Sequence, residues 1–119
     1  MLLTRLKNKK EGFNMKIVGI SACTVGIAHT YLAQQKIEDA AKKVGDEVKI
    51  ETQGTIGTEN KLTKEEIQEA DIIILAVDVK ISGEERFKGK KVVKVSTETA
   101  IKSPNKLVEK LHEIVEKEN

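Results

Sequence analysis

The sequence of 119 residues is poor in cysteine, proline and aromatic residues, with one cysteine, one proline and no tryptophan. A single cysteine excludes an internal disulfide and any redox cycle that needs a second cysteine in the same chain. Aromatic residues are only 3% of the total, which argues against stacking platforms for nucleic-acid bases. The length suits one domain, long enough to bury a core without disulfides or metal staples.

Long apolar runs are also absent. The longest, Ile72–Val77, has the length of a strand rather than of a membrane span. The N-terminus has no apolar region of the kind that defines a signal peptide. We therefore expect a cytoplasmic protein that is not inserted in a membrane.

Positive and negative side chains are present in nearly equal numbers. The formal net charge is +2, but residues 1–14 alone carry +3, which leaves −1 for the remainder. A near-neutral folded part gives no support for a nucleic-acid partner. Residues 1–14 are polar, basic and aperiodic, so we expect a flexible extension before a single domain at 15–119. Met15 begins the first predicted strand, and translation could start there.

The remainder alternates predicted strands with predicted helices. Strands are expected at 15–21, 48–52, 72–77 and 91–96. Helices are expected from 27 or 28 to 44, after Thr63, around 82–87 and at 104–117, with a long polar loop at 53–60. This alternation predicts an α/β fold of three layers, αβα, around a four-stranded parallel sheet in the flavodoxin-like order 2-1-3-4.

The stretch 21–30 places the single cysteine, Cys23, in the loop between the first strand and the first helix. Backbone N–H groups and the helix dipole make such a loop a cradle for anions, and the same setting favours a thiolate. The pattern indicates a nucleophile that attacks or carries a phosphoryl group. A small buried cysteine after a core strand is the structural alternative. The predicted strand order favours the nucleophile, because it places this loop at the switch point where ligands bind.

The number of residues between Cys23 and His29 helps to distinguish a phosphate carrier from a phosphatase. Five residues separate Cys23 from His29, whereas low-molecular-weight tyrosine phosphatases have arginine at that position of a Cys-x5-Arg-Ser/Thr loop. Arginine supplies a fixed charge and a bidentate fork for the phosphoryl transition state. The sequence therefore favours a loop that carries phosphate over one that hydrolyses a phosphate ester.

The loop resembles one known family. Cys-Thr-Val-Gly-Ile-Ala-His-Thr, at residues 23–30, is similar to the Cys-Pro-Thr-Gly-Ile-Ala-His-Thr signature of fructose-type enzyme IIB domains of the bacterial sugar phosphotransferase system. The resemblance extends from about Met15 to the C-terminus. The further matching segments are Glu-Thr-Gln-Gly at 51–54, Asn-Lys-Leu-Thr at 60–63, Ala-Asp at 70–71, Ala-Val-Asp at 76–78 and Arg-Phe-Lys-Gly-Lys at 86–90.

The resemblance implies a phosphotransferase subunit. Cys23 would accept a phosphoryl group from a phosphohistidine on the IIA component. It would then pass the group to a sugar, fructose in the first instance, held by the membrane IIC component. Both partners would be separate chains, and neither a metal nor a cofactor is expected.

The chain departs from the family signature directly after the cysteine, where Thr24 and Val25 replace proline and threonine. Proline has no N–H and fixes φ, so Thr24 restores a possible donor but loosens the loop. Val25 removes a hydroxyl that could touch phosphate or thiolate. We expect Cys23 still to accept phosphate, because the glycine, the helix start and His29 remain.

The rest of the predicted phosphate-binding loop has two interpretations for most residues. Gly26 either lets the backbone approach phosphate or only makes a turn. His29 either contacts the phosphoryl group and tunes the thiolate or closes the loop structurally. Thr30 either donates to the thiolate or bonds the preceding turn. Ile27 and Ala28 complete the loop through their backbone.

Residues outside the loop are predicted with smaller roles. Asp78, at the end of a strand, could act as an acid but is expected to cap a loop, because a carboxylate would repel phosphate. Gln53 and Gly54 are possible edges of the site. Arg86 either pairs with acidic residues or meets the IIA partner, with solvation at the surface as the default expectation. His112 is interpreted as a surface residue of the last helix.

Other functions remain open at this point. A phosphatase or arsenate reductase is the enzymatic alternative, opposed by the missing arginine and the single cysteine. A flavin protein or a response-regulator receiver is the non-catalytic alternative, opposed by scarce aromatics and by the absence of an acidic cluster after the first strand. A regulatory phosphoryl carrier without a transport role has the same sequence signature as a transport subunit.

Overall fold

The computed structural model describes residues 15–118; the predicted N-terminal extension lies outside them. The predicted three-layer α/β fold is confirmed, with a five-stranded mixed sheet. Its strands are β1 (Lys16–Ala22), β2 (Glu47–Gly54), β3 (Gly57–Glu59), β4 (Ile72–Val77) and β5 (Val92–Val95). Its α-helices are α1 (Ile27–Lys43), α2 (Lys64–Glu69), α3 (Thr97–Lys102) and α4 (Pro104–Glu118), and a 3-10 helix spans Glu84–Phe87.

The strands lie in the order β3-β2-β1-β4-β5. Strands β2, β1, β4 and β5 are parallel to their neighbours and reproduce the predicted order 2-1-3-4. The register pairs Ala22 with Val77 and Ala76 with Val95, so β1, β4 and β5 end at the same edge of the sheet. The residues that follow these strands are thereby brought together.

The segment predicted as a long loop contains β3 and forms a β-hairpin with β2. The predicted count of four strands was wrong, because it omitted β3. β3 pairs antiparallel with β2, and Gly54 faces Gly57 across a two-residue turn at 55–56. Gly57 has φ of 110°, which glycine adopts without strain. Every residue of β3 is exposed, so the strand carries no apolar alternation by which the sequence would reveal it.

The core occupies both faces of the sheet. Strand β4 is buried along its whole length and alternates between the two faces. Ile72, Ile74 and Ala76 pack on the side of α1, α3 and α4, and Ile73, Leu75 and Val77 on the side of α2 and the 3-10 helix. A strand buried on both faces is what its continuous apolar sequence predicts.

Polar residues define the helix boundaries. The capping box predicted at Thr63 is confirmed: its side chain accepts from the N–H of Glu66, whose side chain accepts in return from the N–H of Thr63. Ser96 caps α3 by accepting from the N–H of Thr99, whereas the sequence assigned Ser96 to a strand and missed this helix. Gly45 has φ of 89°, the left-handed conformation expected after α1. In the described part of the chain, no helix has the length and apolarity that spanning a membrane requires.

Gly19 lets the two central strands approach each other closely. A Cβ placed on Gly19 would lie 1.9 Å from the carbonyl oxygen of Ile74 and 2.5 Å from its Cγ2. Gly19 is paired with Ile50 on one side and with Ile74 on the other, so neither neighbour can move without breaking the sheet. Any side chain here would force β1 and β4 apart.

We predict that Gly19→Ala lowers the free energy of unfolding by about 3 kcal/mol or more, the upper range for overpacking in a core. For a domain of this size the thermal midpoint would then fall by more than about 10 °C. Circular dichroism during thermal and urea unfolding measures both quantities. Val92→Ala, on the exposed face of β5, is the control and should cost less than about 1 kcal/mol. Equal midpoints for the two variants would refute the close approach.

Candidate active site

Cys23 is the first residue after β1 and is half-buried at the carboxyl edge of the sheet. The backbone N–H of Val25 donates to Cys23 Sγ at 3.3 Å, so the loop curls back around the sulfur. The side chain of Val25 points outward and is 74% exposed. The donor to the sulfur is therefore the amide of residue 25, an atom that the change from threonine to valine leaves in place.

The residues after Cys23 form the amino end of α1. The helix begins at Ile27, and its first internal bond runs from the N–H of Thr30 to the carbonyl of Gly26. The N–H groups of Ile27, Ala28 and His29 precede that bond and have no acceptor within the helix. No side chain caps them, and the first turn has no acidic residue. This end of the helix is therefore suited to an anion.

Gly26 takes a backbone conformation that favours glycine. Gly26 is the N-cap of α1, with φ of 148° and ψ of 169°. A Cβ here would meet no atom within 4 Å, so backbone strain rather than a clash selects glycine.

Thr30 has a structural contact rather than a contact with the cysteine. Its side chain is buried, and its hydroxyl donates to the carbonyl of Gly26 at 3.4 Å. Its own carbonyl accepts a bond of 2.8 Å from the hydroxyl of Ser21 on β1. Thr30 thus ties the first turn of α1 to the strand that precedes the loop.

His29 and Thr97 surround the sulfur of Cys23. His29 Nδ1 lies 3.1 Å from Cys23 Sγ, which is hydrogen-bonding distance. Thr97 Oγ1 lies 3.6 Å from the same sulfur and 3.4 Å from His29 Nδ1. One proton can therefore pass between the thiol and the imidazole, with the threonine oxygen beside both.

Asp78 holds Thr97 in this position. Its carboxylate accepts the N–H of Thr97 at 3.0 Å and the hydroxyl of Thr97 at 2.5 Å. The capping role expected for Asp78 is thus present, at the first residue of α3. The single hydroxyl proton of Thr97 can point to Asp78 or to Cys23 Sγ, and the contact with Asp78 is the shorter of the two.

These contacts favour the charged form of Asp78. The hydroxyl of Thr97 lowers the pKa of the Asp78 carboxyl most, and its backbone N–H, Cys23 and His29 act in the same direction against the effect of burial. The pKa of Asp78 is therefore lower than that of an ordinary aspartate.

Sequence reasoning missed Thr97, although the chain contains a signal for it. Ser96 and Thr97 follow an apolar strand and precede Glu98, a pattern typical of a helix start. Parallel strands end at one edge of a sheet, so a helix start after β5 must lie near the loops that follow β1 and β4.

Gln53 and Gly54, predicted as possible edges of the site, make no described hydrogen bond to Cys23. The amide of Gln53 donates to the carbonyl of Ser82 and accepts the N–H of Ser82, both at 2.9 Å, so it braces the loop after β4. A Cβ on Gly54 would lie 2.7 Å from Ile27 Cδ1. The β2–β3 hairpin therefore packs directly on the first residue of α1.

Arg86 is not solvated at the surface, the default expectation, but pairs with an acidic residue, which was the alternative. Its guanidinium makes two bonds, of 3.0 and 3.1 Å, with the carboxylate of Glu51, whose side chain is only 1% exposed. Burial raises the pKa of Glu51, but bonds from Arg86, Gln53 and the N–H of Leu62 outweigh it and hold the pKa below its ordinary value. A buried carboxylate on β2 requires such a partner, which is why Arg86 turns inward.

His112 also differs from its prediction. His112 Nε2 lies 2.6 Å from Asp46 Oδ2, and the Asp46 side chain is fully buried. Asp46 also accepts the N–H of Met15 at 3.0 Å. The histidine therefore joins α4 to the start of β1 and lies at the opposite edge of the sheet from Cys23.

The chain matches a known family over most of its length. Residues 18–110 match the family described as "PTS system, Lactose/Cellobiose specific IIB subunit". A relative from Escherichia coli (strain K12), "PTS system fructose-like EIIB component 2", is 48% identical over 96 residues, which are 81% of this chain and 91% of the relative.

Solved structures agree in both fold and sequence. A domain from the "fructose-specific iiabc component (Pts system)" of Borrelia burgdorferi has a TM-score of 0.77 and 52% identity, covering 82% of this chain and 92% of that domain. The "Enzyme IIB subunit of PTS system" from Escherichia coli K12 has a TM-score of 0.82 and 40% identity, covering 88% of this chain and 97% of the other. The names of the Escherichia coli relative and of the Borrelia burgdorferi domain refer to fructose, whereas the family description refers to lactose and cellobiose.

We predict that Thr97→Val raises the titration midpoint of the Asp78 carboxyl, because the largest contribution to its lowered pKa is the hydroxyl that valine lacks. A lowered pKa means that charged Asp78 stabilises the fold above the unfolded value of about 3.9, and that this stabilisation is lost as the pH falls through the folded value. The variant should lose less stability on acidification than the parent chain.

Carbon-detected NMR of the carboxyl groups measures this midpoint directly, and unfolding curves at several pH values measure the linked stability. Thr55→Val, in the exposed turn of the β2–β3 hairpin, is the matched control. An Asp78 midpoint that is the same in the Thr97 variant, the control and the parent chain would contradict the assignment.

Proposed function

Because this chain belongs to the PTS IIB family of phosphotransferase subunits, we propose that it is a phosphoryl carrier that works through Cys23. It accepts a phosphoryl group from a phosphohistidine of a fructose-type IIA component. It then transfers the group to a sugar, fructose in the first instance, bound by a membrane IIC component during uptake.

The observation that carries this proposal is the position of the cysteine sulfur. Cys23 Sγ lies beside the uncapped amino end of α1, where N–H groups are available to phosphate oxygens, and 3.1 Å from an imidazole nitrogen that can take its proton. A nucleophile within hydrogen-bond reach of a base, which a third group orients, is the arrangement that activates thiols for covalent catalysis. Here Thr97 and Asp78 provide the orientation.

The transfer can be written atom by atom. His29 Nδ1 takes the thiol proton of Cys23, and the thiolate attacks the phosphorus of the donor phosphohistidine. The S–P bond forms as the P–N bond breaks, and the donor imidazole leaves with its electron pair and takes up the proton held by His29. In the transfer to the sugar, the sugar hydroxyl gives its proton to His29 as its oxygen attacks phosphorus, the S–P bond breaks and Cys23 leaves as a thiolate.

The loop is better suited to carrying than to hydrolysis. The position that arginine occupies in phosphatase loops is His29, and Arg86 is engaged with buried Glu51 and with the carbonyl of Gly83. Without a bidentate guanidinium on the phosphoryl oxygens, attack by water gains little stabilisation. The nearby charge of Asp78 disfavours a permanently bound phosphate dianion and favours its onward transfer.

The partners and the location follow from the same proposal. The name of the Borrelia burgdorferi neighbour joins the parts A, B and C in one component, which supports IIA and IIC parts as the donor and acceptor sites for this chain. A carrier that serves a phosphorylated donor and the inner face of a membrane transporter works in the cytoplasm. A regulatory carrier would use the same donor site but would not need the IIC partner.

We predict that the chain becomes labelled at Cys23 when mixed with labelled phosphoenolpyruvate, the general phosphotransferase proteins and a fructose-type IIA. The label should be released by iodine, as expected for phosphate bound to sulfur, and Cys23→Ser should carry none. Thr55→Ser, an equally conservative change in the exposed hairpin turn, should be labelled like the parent chain. Absence of label with the IIA component fully phosphorylated would contradict the proposal, and hydrolysis of an aryl phosphate would support the phosphatase alternative instead.

We also predict that His29→Gln slows phosphorylation of Cys23 by roughly 100-fold, since glutamine cannot accept the thiol proton and general-base catalysis is worth at least about that factor. Single-turnover transfer from phosphorylated IIA measures the rate. His112→Gln replaces the chain's other histidine, keeps a hydrogen-bonding side chain beside Asp46 and should leave the rate unchanged. Equal rates for the two variants would remove His29 from the mechanism.

A further inference from the structure

A thiol, an imidazole and a carboxylate converge at the proposed active site. The ligand atoms of Cys23, His29 and Asp78 all lie within 4.8 Å of one another. The three residues come from three different places, the end of β1, the first turn of α1 and the end of β4. Cys23 and His29 are half-buried and Asp78 is exposed, so the cluster opens to solvent on one side.

We propose that Cys23, His29 and Asp78 bind one Zn²⁺ ion and that the bound ion blocks phosphoryl transfer. The binding site stands on the geometry of the three side chains alone. The inhibition rests in addition on the proposed function, since it requires Cys23 to be the residue that is phosphorylated.

The donor set is the one that zinc prefers. Thiolate sulfur, imidazole nitrogen and carboxylate oxygen are its usual protein ligands, and three of them with one open position form a common tetrahedral site. Bond lengths of about 2.0–2.3 Å at tetrahedral angles place such ligand atoms about 3.4–3.6 Å apart. Cys23 Sγ and His29 Nδ1, at 3.1 Å, would need to separate by only a few tenths of an ångström. Magnesium and calcium prefer sites made of oxygen ligands, so this cluster discriminates against them.

The carboxylate is already oriented for such a role. The N–H and the hydroxyl of Thr97 each donate to one oxygen of Asp78, at 3.0 and 2.5 Å. Each oxygen keeps a further lone pair, so a metal ion can bind without displacing Thr97. Hydrogen bonds of this kind to a ligating carboxylate are a regular part of metal sites and strengthen binding.

Zinc and phosphate would compete for the same sulfur. Zinc binds the thiolate, so the thiol proton is released to solvent as the S–Zn bond forms. Once the S–P bond of phosphocysteine exists, the sulfur is no longer a thiolate and the metal loses its strongest ligand. The ion would therefore bind the dephosphorylated carrier and leave the phosphorylated one free.

The binding test uses the full chain and titrates it with Co²⁺, whose charge-transfer absorption reports a thiolate ligand, and with Zn²⁺ by calorimetry. We expect one ion per chain for both metals and no heat with Mg²⁺. Cys23→Ser should abolish the charge-transfer band. His29→Gln and Asp78→Asn should each weaken Zn²⁺ binding by at least about tenfold. Asp39→Asn, an exposed change three turns further along α1, should bind like the parent chain.

Circular dichroism of each variant separates loss of the site from loss of the fold. Unchanged Zn²⁺ affinity in folded Cys23→Ser, His29→Gln or Asp78→Asn would overturn the three-ligand site. The inhibition is measured by adding Zn²⁺ to the labelling reaction after the IIA component has been phosphorylated and its donor removed. Slower labelling that a chelator restores supports the proposal, and labelling at an unchanged rate by a chain saturated with Zn²⁺ overturns it.

The two proposals fail in different ways. A chain that binds Co²⁺ through Cys23 but is not labelled would refute the phosphoryl-carrier function and leave the metal site intact. A chain that is labelled at Cys23 but binds neither Co²⁺ nor Zn²⁺ would refute the metal site and leave the function intact.

Discussion

The site depends on one constraint, the common level at which three parallel strands end. The pairing of Ala22 with Val77 and of Ala76 with Val95 brings the residues after β1, β4 and β5 to one edge of the sheet. Cys23, Asp78 and Thr97 then meet, although the cysteine and the threonine are 74 positions apart in sequence. A shift of one residue in either pairing would turn the strand's side chains to the opposite face and separate these groups. The buried apolar side chains of β4, which belong to two different core clusters, oppose such a shift.

A second constraint holds the surroundings of the site in place. Glu51 is a buried carboxylate, and a charge of this kind is stable only when donors surround it. Arg86, Gln53 and the N–H of Leu62 supply those donors, and Gln53 also bonds both backbone groups of Ser82. The end of β2, the loop after β4 and the 3-10 helix are thereby joined on the side of the sheet opposite α1. The alternation of apolar and polar residues in β2 suggests that Glu51 is exposed. Its carboxylate is instead buried and holds several loops in place.

The sequence predicts the features that depend on local patterns. Apolar runs and helix periods are sufficient for four parallel strands and their order, and Thr63 and Gly45 mark helix boundaries by local chemistry. Features that depend on distant partners were missed: β3 carries no apolar pattern, Arg86 turns inward because of Glu51, and His112 because of Asp46. The loop around Cys23 was identified as a whole, but its orienting partner Thr97 was not, because the strand that precedes it was extended through the cap of α3.

The chemistry of the site depends on two protons, those of the Cys23 thiol and the Thr97 hydroxyl, and on the groups that can accept them. Thr97 has one hydroxyl proton, which can point to Asp78 or to Cys23 Sγ but not to both at once. His29 Nδ1 lies within hydrogen-bonding distance of the same sulfur and can accept the thiol proton. A thiolate beside the amino end of a helix is a good nucleophile toward phosphorus, and the same thiolate is a good ligand for a soft metal ion. In the two proposals, phosphate and zinc compete for the same sulfur of Cys23, and formation of the S–P bond ends both its nucleophilicity and its capacity to bind the metal.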